Sequence, residues 1–319
     1  MMIVLFIGGC RPVRVDDYIY LGKKQLESAN YKQAEGSFST AINMKPDNAE
    51  AFYLRGFSRS YLGDNQGSIK DLTMAIELKP EDPRPYRWRG KVYYQLGDFE
   101  ASLDDCNKAI EMEPKLLSAY GNRAEVETEL GMFPEALADY MKVLEVEPCN
   151  ATYLDNVSLI YCNMEKWDEA ISYAKKAIDC DSKMAAPLIN LGYALSRGKK
   201  DYEGAIQVLN KAIQIEPNFP EPYRHLGEAK KALGDLDGAI SNFKTAIQMN
   251  DHYAEAYLSL GIALIEKGDL DEAILNLSKA IELKTDYGEA YHYRGLAKEQ
   301  NGDKEGANKD FDKATKLGS

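Results

Sequence analysis

AEAFYLRGFSRSYLGDNQGSIKDLTMAIELKPED, residues Ala49 to Asp82, is the stretch from which the rest of the chain can be read. Its markers are Phe52, Gly56, the Gly63-Asp64 pair, Ile69, Leu72, Ala75-Ile76 and Pro80. Moving the frame by 34 residues in either direction returns the same chemistry. A fixed period of that length marks stacked units that bury their apolar faces on one another, and not one globular core.

Working outward, nine units begin near Val15, Ala49, Pro83, Leu117, Ala151, Ala185, Pro220, Ala254 and Gly288. Every step is 34 residues except the sixth, which is 35. The extra residue falls in SRGKKDYEG, Ser196 to Gly204, which reads as a turn between two helices, where an insertion disturbs neither packed face. Apolar residues recur at helical spacing throughout, and no stretch alternates as a strand would. Each unit thus reads as a helix A of about thirteen residues followed by a turn and a helix B. Gly63-Asp64, Gly97-Asp98, Gly234-Asp235, Gly268-Asp269 and Gly302-Asp303 supply a left-handed residue to end helix A and an N-cap to start helix B. Small residues such as Gly56, Gly90, Gly227 and Gly261 on helix A, and Ala75, Ala109, Ala246 and Ala280 on helix B, let the two helices approach closely. Pro46, Pro80, Pro114, Pro148 and Pro217 stop helix B, since proline lacks the amide that would continue it.

This succession of residues resembles the tetratricopeptide repeat. The third unit carries the pattern as Tyr86, Gly90, Tyr93, Gly97-Asp98-Phe99, Cys106, Ala109 and Pro114. The eighth carries it as Tyr257, Gly261, Gly268-Asp269-Leu270, Ala273, Leu277 and Ala280. The resemblance implies an all-α, right-handed superhelical solenoid of stacked antiparallel helix pairs, one array of nine repeats over residues 15–319 behind a leader of residues 1–14. Glu35 in the first unit, and Asn308 and Thr315 in the last, stand where the middle units have Ile or Leu. Polar outer faces are what the ends of such an array require, so the array is expected to finish at Leu317.

Composition narrows the function. With 51 acidic against 39 basic residues, the net charge of −12 repels a phosphate backbone, so nucleic acid is not an expected partner. The three His and five Cys show no metal-ligand spacing, and no metal or cofactor is expected. There is no P-loop, GxSxG or HExxH motif, and no convergent acid, base and nucleophile set, so the chain does not read as an enzyme.

In the tetratricopeptide architecture helix A lines the concave surface, and the resemblance implies a scaffold that binds a protein or an extended peptide there. One helix-A position reads Tyr20, Leu54, Trp88, Asn122, Asn156, Asn190, His225, Ser259 and Tyr293. Asn122, Asn156 and Asn190 resemble the asparagine ladder in the repeat superhelix of O-linked N-acetylglucosamine transferases, which clamps peptide backbones. A carboxamide both donates and accepts, and so can hold a backbone whatever its side chains. His225 continues the row beyond the ladder. Arg84, Arg87, Trp88 and Lys91 bring basic groups and an aromatic face to the same side, suited to a carboxylate or an aromatic side chain. Glu221, Glu228, Glu255, Glu266 and Glu289 give the seventh to ninth units the opposite charge. The clamp that three-repeat members use for chaperone tails is incomplete: Lys91 stands where Asn is wanted, and Thr152 and Asn156 where Lys and Arg are wanted.

Other residues read as structural. Arg55, Arg89, Arg123 and Arg294 stand at a position usually held by Leu, and are expected to lay their stems on apolar surface while the heads reach water. Tyr86, Tyr120, Tyr223, Tyr257 and Tyr291 fall on packing positions. Cys106 and Cys180 are expected to be small buried hydrophobes. A disulfide among Cys106, Cys149, Cys162 and Cys180 is allowed if the protein is exported and not expected if it is cytoplasmic.

The leader leaves two localisations open. Ile7-Gly8-Gly9-Cys10 resembles the lipobox of bacterial lipoproteins, which implies a lipidated Cys10 anchoring the protein to the cell envelope if the true start lies upstream. The alternative is a frayed leader on a cytoplasmic protein. The apolar run before Gly9 is too short to span a bilayer, which takes about 20 apolar residues, so membrane contact is expected only through that lipid.

Overall fold

The computed structural model describes residues 13–318, and the regular structure in that range is entirely helical. Its contacts divide the chain into two compact units, Met1–Pro148 and Cys149–Ser319. In the first unit α1 (Val15–Glu27) pairs with α2 (Tyr31–Met44), and α3 (Ala49–Tyr61) with α4 (Asn65–Leu78). There α5 (Pro83–Gln95) pairs with α6 (Phe99–Met112), and α7 (Leu117–Glu129) with α8 (Phe133–Val146). The second unit opens with α9 (Ala151–Asn163) against α10 (Trp167–Cys180). Next α11 (Ala186–Ala194) runs into a π-turn at Leu195–Lys199 and packs on α12 (Tyr202–Ile215). The unit continues with α13 (Glu221–Ala232) on α14 (Leu236–Met249), α15 (Ala254–Lys267) on α16 (Leu270–Leu283), and α17 (Gly288–Gln300) on α18 (Lys304–Lys316). These eighteen helices are the nine expected A/B pairs.

The turns form as their residues dictate. Gly63, Gly97, Gly131, Gly234, Gly268 and Gly302 all take positive φ. Where glycine is missing, Ala29, Glu165 and Lys200 are held in the same left-handed region. Asp64, Asp98, Asp235 and Asp303 each accept a backbone N–H of the next helix's first turn. Asp269 makes no such cap.

Packing within a pair depends on one missing side chain. A Cβ on Gly227 would lie 2.5 Å from the Phe243 ring, and one on Gly56 would lie 2.9 Å from Leu72. Ser68 Oγ then donates to the Gly56 carbonyl at 2.8 Å, closing the space between α3 and α4 with a buried polar contact.

The arginines that precede this small residue are half-buried and turn their heads to buried aspartates and not out to solvent. Arg89 donates Nε and Nη2 to the two oxygens of Asp105 at 2.8 Å each, and Arg55, Arg123 and Arg294 do the same to Asp71, Asp139 and Asp310. The third nitrogen, Nη1, reaches helix B of the preceding repeat: that of Arg55 at Ser39, of Arg89 at Thr73, of Arg123 at Asn107 and of Arg294 at Ser278. Sixteen residues forward and sixteen back are the same distance along the array, so one guanidinium ties three helices. The aspartates are buried, and a planar fork is the donor geometry that satisfies a buried carboxylate.

Two further expectations are corrected. Cys180 is not a buried hydrophobe: it forms a disulfide with Cys149, linking the start of the α9 repeat to the end of α10. Cys106 and Cys162 stay as buried thiols, and burial pushes both up to about 12. The inserted residue does not extend a loop but is absorbed as the π-turn, with Gly198 lying under the Trp167 indole.

Removing the aspartate of a fork leaves a half-buried guanidinium without its carboxylate. Asp105→Ala should therefore destabilise the first unit by about 3 kcal/mol, while Arg89→Leu with Asp105→Leu should cost much less. Chemical unfolding followed by hydrogen exchange on α5 and α6 measures both, and a double variant as damaged as the single one would contradict the assignment.

Candidate functional site

The first unit uses up most of its inward-facing charge. Arg84 bonds to Asp82 and, at 2.8 Å, to Glu50, while its guanidinium lies 4.9 Å from the Tyr53 ring centre. Trp88 is buried in the core, edge-on to Phe57 at 4.6 Å. Its ring is approached by the Arg87 guanidinium at 4.3 Å and Lys91 Nζ at 5.7 Å. The Asn122 side chain is buried too, and its Nδ2 donates to the Arg87 carbonyl at 3.2 Å.

The second unit holds an open groove of about 1040 Å³. It is lined from α9, α11, the π-turn, α13, α15 and α17, with Trp167 and Tyr202 from the first residues of α10 and α12. The aromatic wall begins with Trp167, edge-on to Tyr193 at 5.8 Å, and passes to His225, 5.0 Å from Tyr193. Tyr253, Tyr287 and Tyr293 continue it. Asn190, His225, Ser259 and Tyr293, all members of one helix-A register, come together on this lining. Asn156, one repeat before Asn190, is half-buried and engaged with a partner, and it is Asp155 and Leu159 of α9 that face the groove.

Both Asn122 and Asn190 spend Nδ2 on the helix A before their own, 35 residues back: Asn190 donates to Asp155 Oδ1 at 2.8 Å. The carboxamide nitrogen therefore acts here as a tie between repeats. Cys10 lies outside the described residues.

At the middle of the groove sits a network that helical periodicity alone did not signal. Arg224 donates Nε to Tyr253 Oη at 2.7 Å and Nη1 to Glu228 at 2.5 Å, and Ser259 Oγ donates to the same Glu228 oxygen at 3.3 Å. His225 lies with Nε2 3.1 Å from Arg224 Nη2 and Nδ1 3.4 Å from Glu228. Burial lowers the imidazole's pKa, and the Arg224 charge lowers it further. The neutral ring with its proton on Nδ1, donating to Glu228 and accepting from Arg224, is the tautomer that satisfies both neighbours. Burial disfavours the Glu228 carboxylate, yet the His225 hydrogen bond and the Arg224 charge overcome it and hold Glu228 down at about 2. The cluster is thus closed on itself, with each charge answered. Its signal in sequence was Arg224-His225-x-x-Glu228, a pair at one-turn spacing on a helix face where the neighbouring repeats have apolar or small residues.

Asp155 is different. It is 8% exposed, the one hydrogen bond to its side chain among the described residues comes from Asn190, and burial raises it to about 6. No cation pairs with it among the described residues.

A carboxyl raised by folding binds its proton more tightly in the folded chain, so its stabilising effect is present in acid and lost as pH rises from about 4 to 6. Asp155→Asn keeps the acceptor for Asn190 and removes the buried charge. The variant should melt higher than the parent at pH 7.5, by about 2 kcal/mol, with the gap closing at pH 4. A gap independent of pH would contradict an uncompensated Asp155.

Comparison with known proteins places the architecture. Models described as TPR repeat match residues 61–97 and 196–234. Models described as tetratricopeptide repeat match residues 230–298, 83–116 and 150–180. Among curated proteins none matches the chain. A solved tetratricopeptide repeat protein from Parabacteroides merdae is 19% identical, with a TM-score of 0.65, over 78% of this chain and 98% of its own. MamA is 30% identical over 50% of this chain and 94% of its own, at a TM-score of 0.44. YrrB, described as a TPR protein with an unusual peptide-binding site, is 22% identical over 56% of this chain and 91% of its own, at 0.42. Repeat matches in both units, on eighteen helices in consecutive pairs, mean that the chain belongs to the tetratricopeptide repeat family.

Proposed function

We propose that this protein is a non-catalytic interaction scaffold that holds an extended segment of a partner protein in the groove of the Cys149–Ser319 unit. The observation that carries the reading is the lining itself: aromatic side chains from successive repeats, Trp167, Tyr193, Tyr253, Tyr287 and Tyr293, along one groove of about 1040 Å³. Stacked repeats present such a surface in one direction, which suits a chain laid along it more than a small ligand enclosed by it. Aromatic rings bring large contact area with little rotamer entropy to lose. At the middle of the groove Arg224, His225 and Glu228 are paired with one another, which is an arrangement for shape and charge more than for proton transfer. Asn190 and His225 contribute polar contacts to this groove, and Asn122 and Asn156 are the corresponding positions of the two repeats before it.

A photo-crosslinking residue in place of Tyr253 or Tyr293 should capture the partner in native cells, and one in place of the exposed Leu275 should not. Replacing Asn190 by Ala should weaken that capture with helicity by circular dichroism unchanged. Equal capture from Leu275 would remove the groove from consideration, and undiminished capture by Asn190→Ala would remove that asparagine.

The disulfide favours a more specific setting. Cys149–Cys180 is a bond that persists in an oxidising compartment, and cytosolic thiol pools reduce such pairs. An envelope-tethered assembly factor anchored through a lipidated Cys10 is the form of the scaffold that fits it. None of the described helices is long and apolar enough to cross a membrane. Peptide mapping of protein from its native cells should find Cys149 joined to Cys180, and labelled palmitate should be incorporated and then lost in Cys10→Ser. Reduced thiols with no label in the parent would exclude the tethered form.

A further inference from the structure

The groove of the second unit carries a charge imbalance that its own residues do not resolve. Phe219, Tyr253 and Tyr287 recur at 34-residue steps, and two residues after each stands a carboxylate: Glu221, Glu255 and Glu289. All six line the groove. An acid in the first turn of a helix is ordinarily explained by the helix dipole, so the comparison that matters is with the same position elsewhere. In the first unit that position reads Asp16, Glu50, Arg84 and Ser118, and its one glutamate, Glu50, is neutralised by Lys23 at 2.9 Å and by Arg84, the next member of the register, at 2.8 Å. Glu221, Glu255 and Glu289 have no ion pair or hydrogen bond of their own among the described residues. Glu221 and Glu289 are exposed and Glu255 half-buried, and burial followed by the charges of Glu255 and Glu289 raises the Tyr287 hydroxyl.

Asp155 points the same way independently. It lines the groove from α9, is more than nine-tenths buried, and offers a second oxygen, Oδ2, that has no hydrogen-bond partner among the described residues. A buried carboxylate with one oxygen turned to an open groove is a seat for a cation. The groove's own cations do not fill it. Arg224 is committed to Glu228 and Lys231 to Glu266, which leaves Arg197 and Lys200, both exposed, from the π-turn and its exit.

Resting on the groove reading above, we infer that the segment it holds is cationic: an extended stretch of a partner protein rich in arginine and lysine. One basic side chain sits against Asp155 and others run along the Glu221, Glu255 and Glu289 rail. Phe219, Tyr253 and Tyr287 share the lining with these carboxylates, and Arg224 at 5.7 Å from the Tyr253 ring and Lys284 at 4.9 Å from the Tyr287 ring already use two of them. A partner's guanidinium would thus bond to an acid with the Phe219 ring as the one aromatic face of the row without such a contact among the described residues. The chain's net charge of −12 draws the same partner from a distance, but only the rail and Asp155 give it a place to stop.

The test uses the full, oxidised chain and three fluorescein-labelled decapeptides, alternating Arg-Ser, Gln-Ser and Glu-Ser, read by fluorescence anisotropy. The Arg-Ser peptide should bind about tenfold more tightly than Gln-Ser, with Glu-Ser weakest. Its affinity should fall about tenfold in Glu221→Gln/Glu255→Gln/Glu289→Gln and severalfold in Asp155→Asn, and it should weaken with salt. Glu77→Gln/Glu100→Gln/Glu145→Gln removes the same charge from exposed positions of the first unit and should leave binding within about twofold. Equal loss in this control would overturn the proposal, because attraction would then be general. Glu-Ser or Gln-Ser binding as tightly as Arg-Ser, and displaced by Tyr253→Ala/Tyr287→Ala, would overturn the cationic preference and leave the groove reading standing. Binding of no peptide of any charge would overturn the inference, and the crosslinking experiment decides separately whether the groove holds a partner.

Discussion

Seven of the nine repeats depend on a single steric constraint, that a helix-B side chain occupies the place where a helix-A side chain would begin, and the other two keep the position small with Ala124 and Ser158. Phe243 against Gly227, Leu72 against Gly56 and Leu277 against Gly261 are instances in both units. The contact fixes the rotation of helix A about its axis. Once that rotation is fixed, the faces of helix A are assigned: one to its own helix B, one to the repeats on either side, and the remaining one to the groove. A larger residue at the small position would turn the helix and with it every inward side chain, so the chemistry of the groove is set by packing behind it.

The two units solve the adjoining position differently. In the first, Arg55, Arg89 and Arg123 cross to buried aspartates and on to the preceding helix B. In the second, the same register reads Val157, Leu191, Leu226 and Leu260, all buried, and returns to the arginine fork only at Arg294. A buried fork is not intrinsically more stabilising than a well-packed leucine, because desolvation offsets most of the attraction. What it adds is direction. Five fixed donors accept only one placement of three helices, whereas a leucine tolerates small slides.

Where the second unit gives up its forks it gains a polar groove. Arg224, His225, Glu228 and Tyr253 form a satisfied network across two repeats, and the π-turn brings Ser196 and Arg197 to the same lining. The one-residue insertion that breaks the period is therefore local to the groove, with Gly198 packed under Trp167 at one side and Lys200 left-handed at the other. The Cys149–Cys180 bond closes the first repeat of that unit and restricts its unfolded chain, an entropic staple at the end where α9 contributes Asp155.

Sequence by itself determined the nine helix pairs, their turns and their small-residue contacts, because each rests on short-range steric rules that a 34-residue period repeats until they are unambiguous. It also placed Asn190, His225, Ser259 and Tyr293 in one register, since period alone assigns a helix face. Tertiary structure decided what those rules do not reach. Arg89 stands where leucine is usual, and only the aspartate sixteen residues on, brought to 2.8 Å by the packing of α5 on α6, turns it from a surface stem into a buried fork. Asn156 and Asp155 are neighbours in sequence, yet a helix turns each residue by a wide angle, and the lining takes Asp155. Cys180 found Cys149 because α9 and α10 fold back on each other, a pairing that depends on distance in space and leaves no mark in spacing.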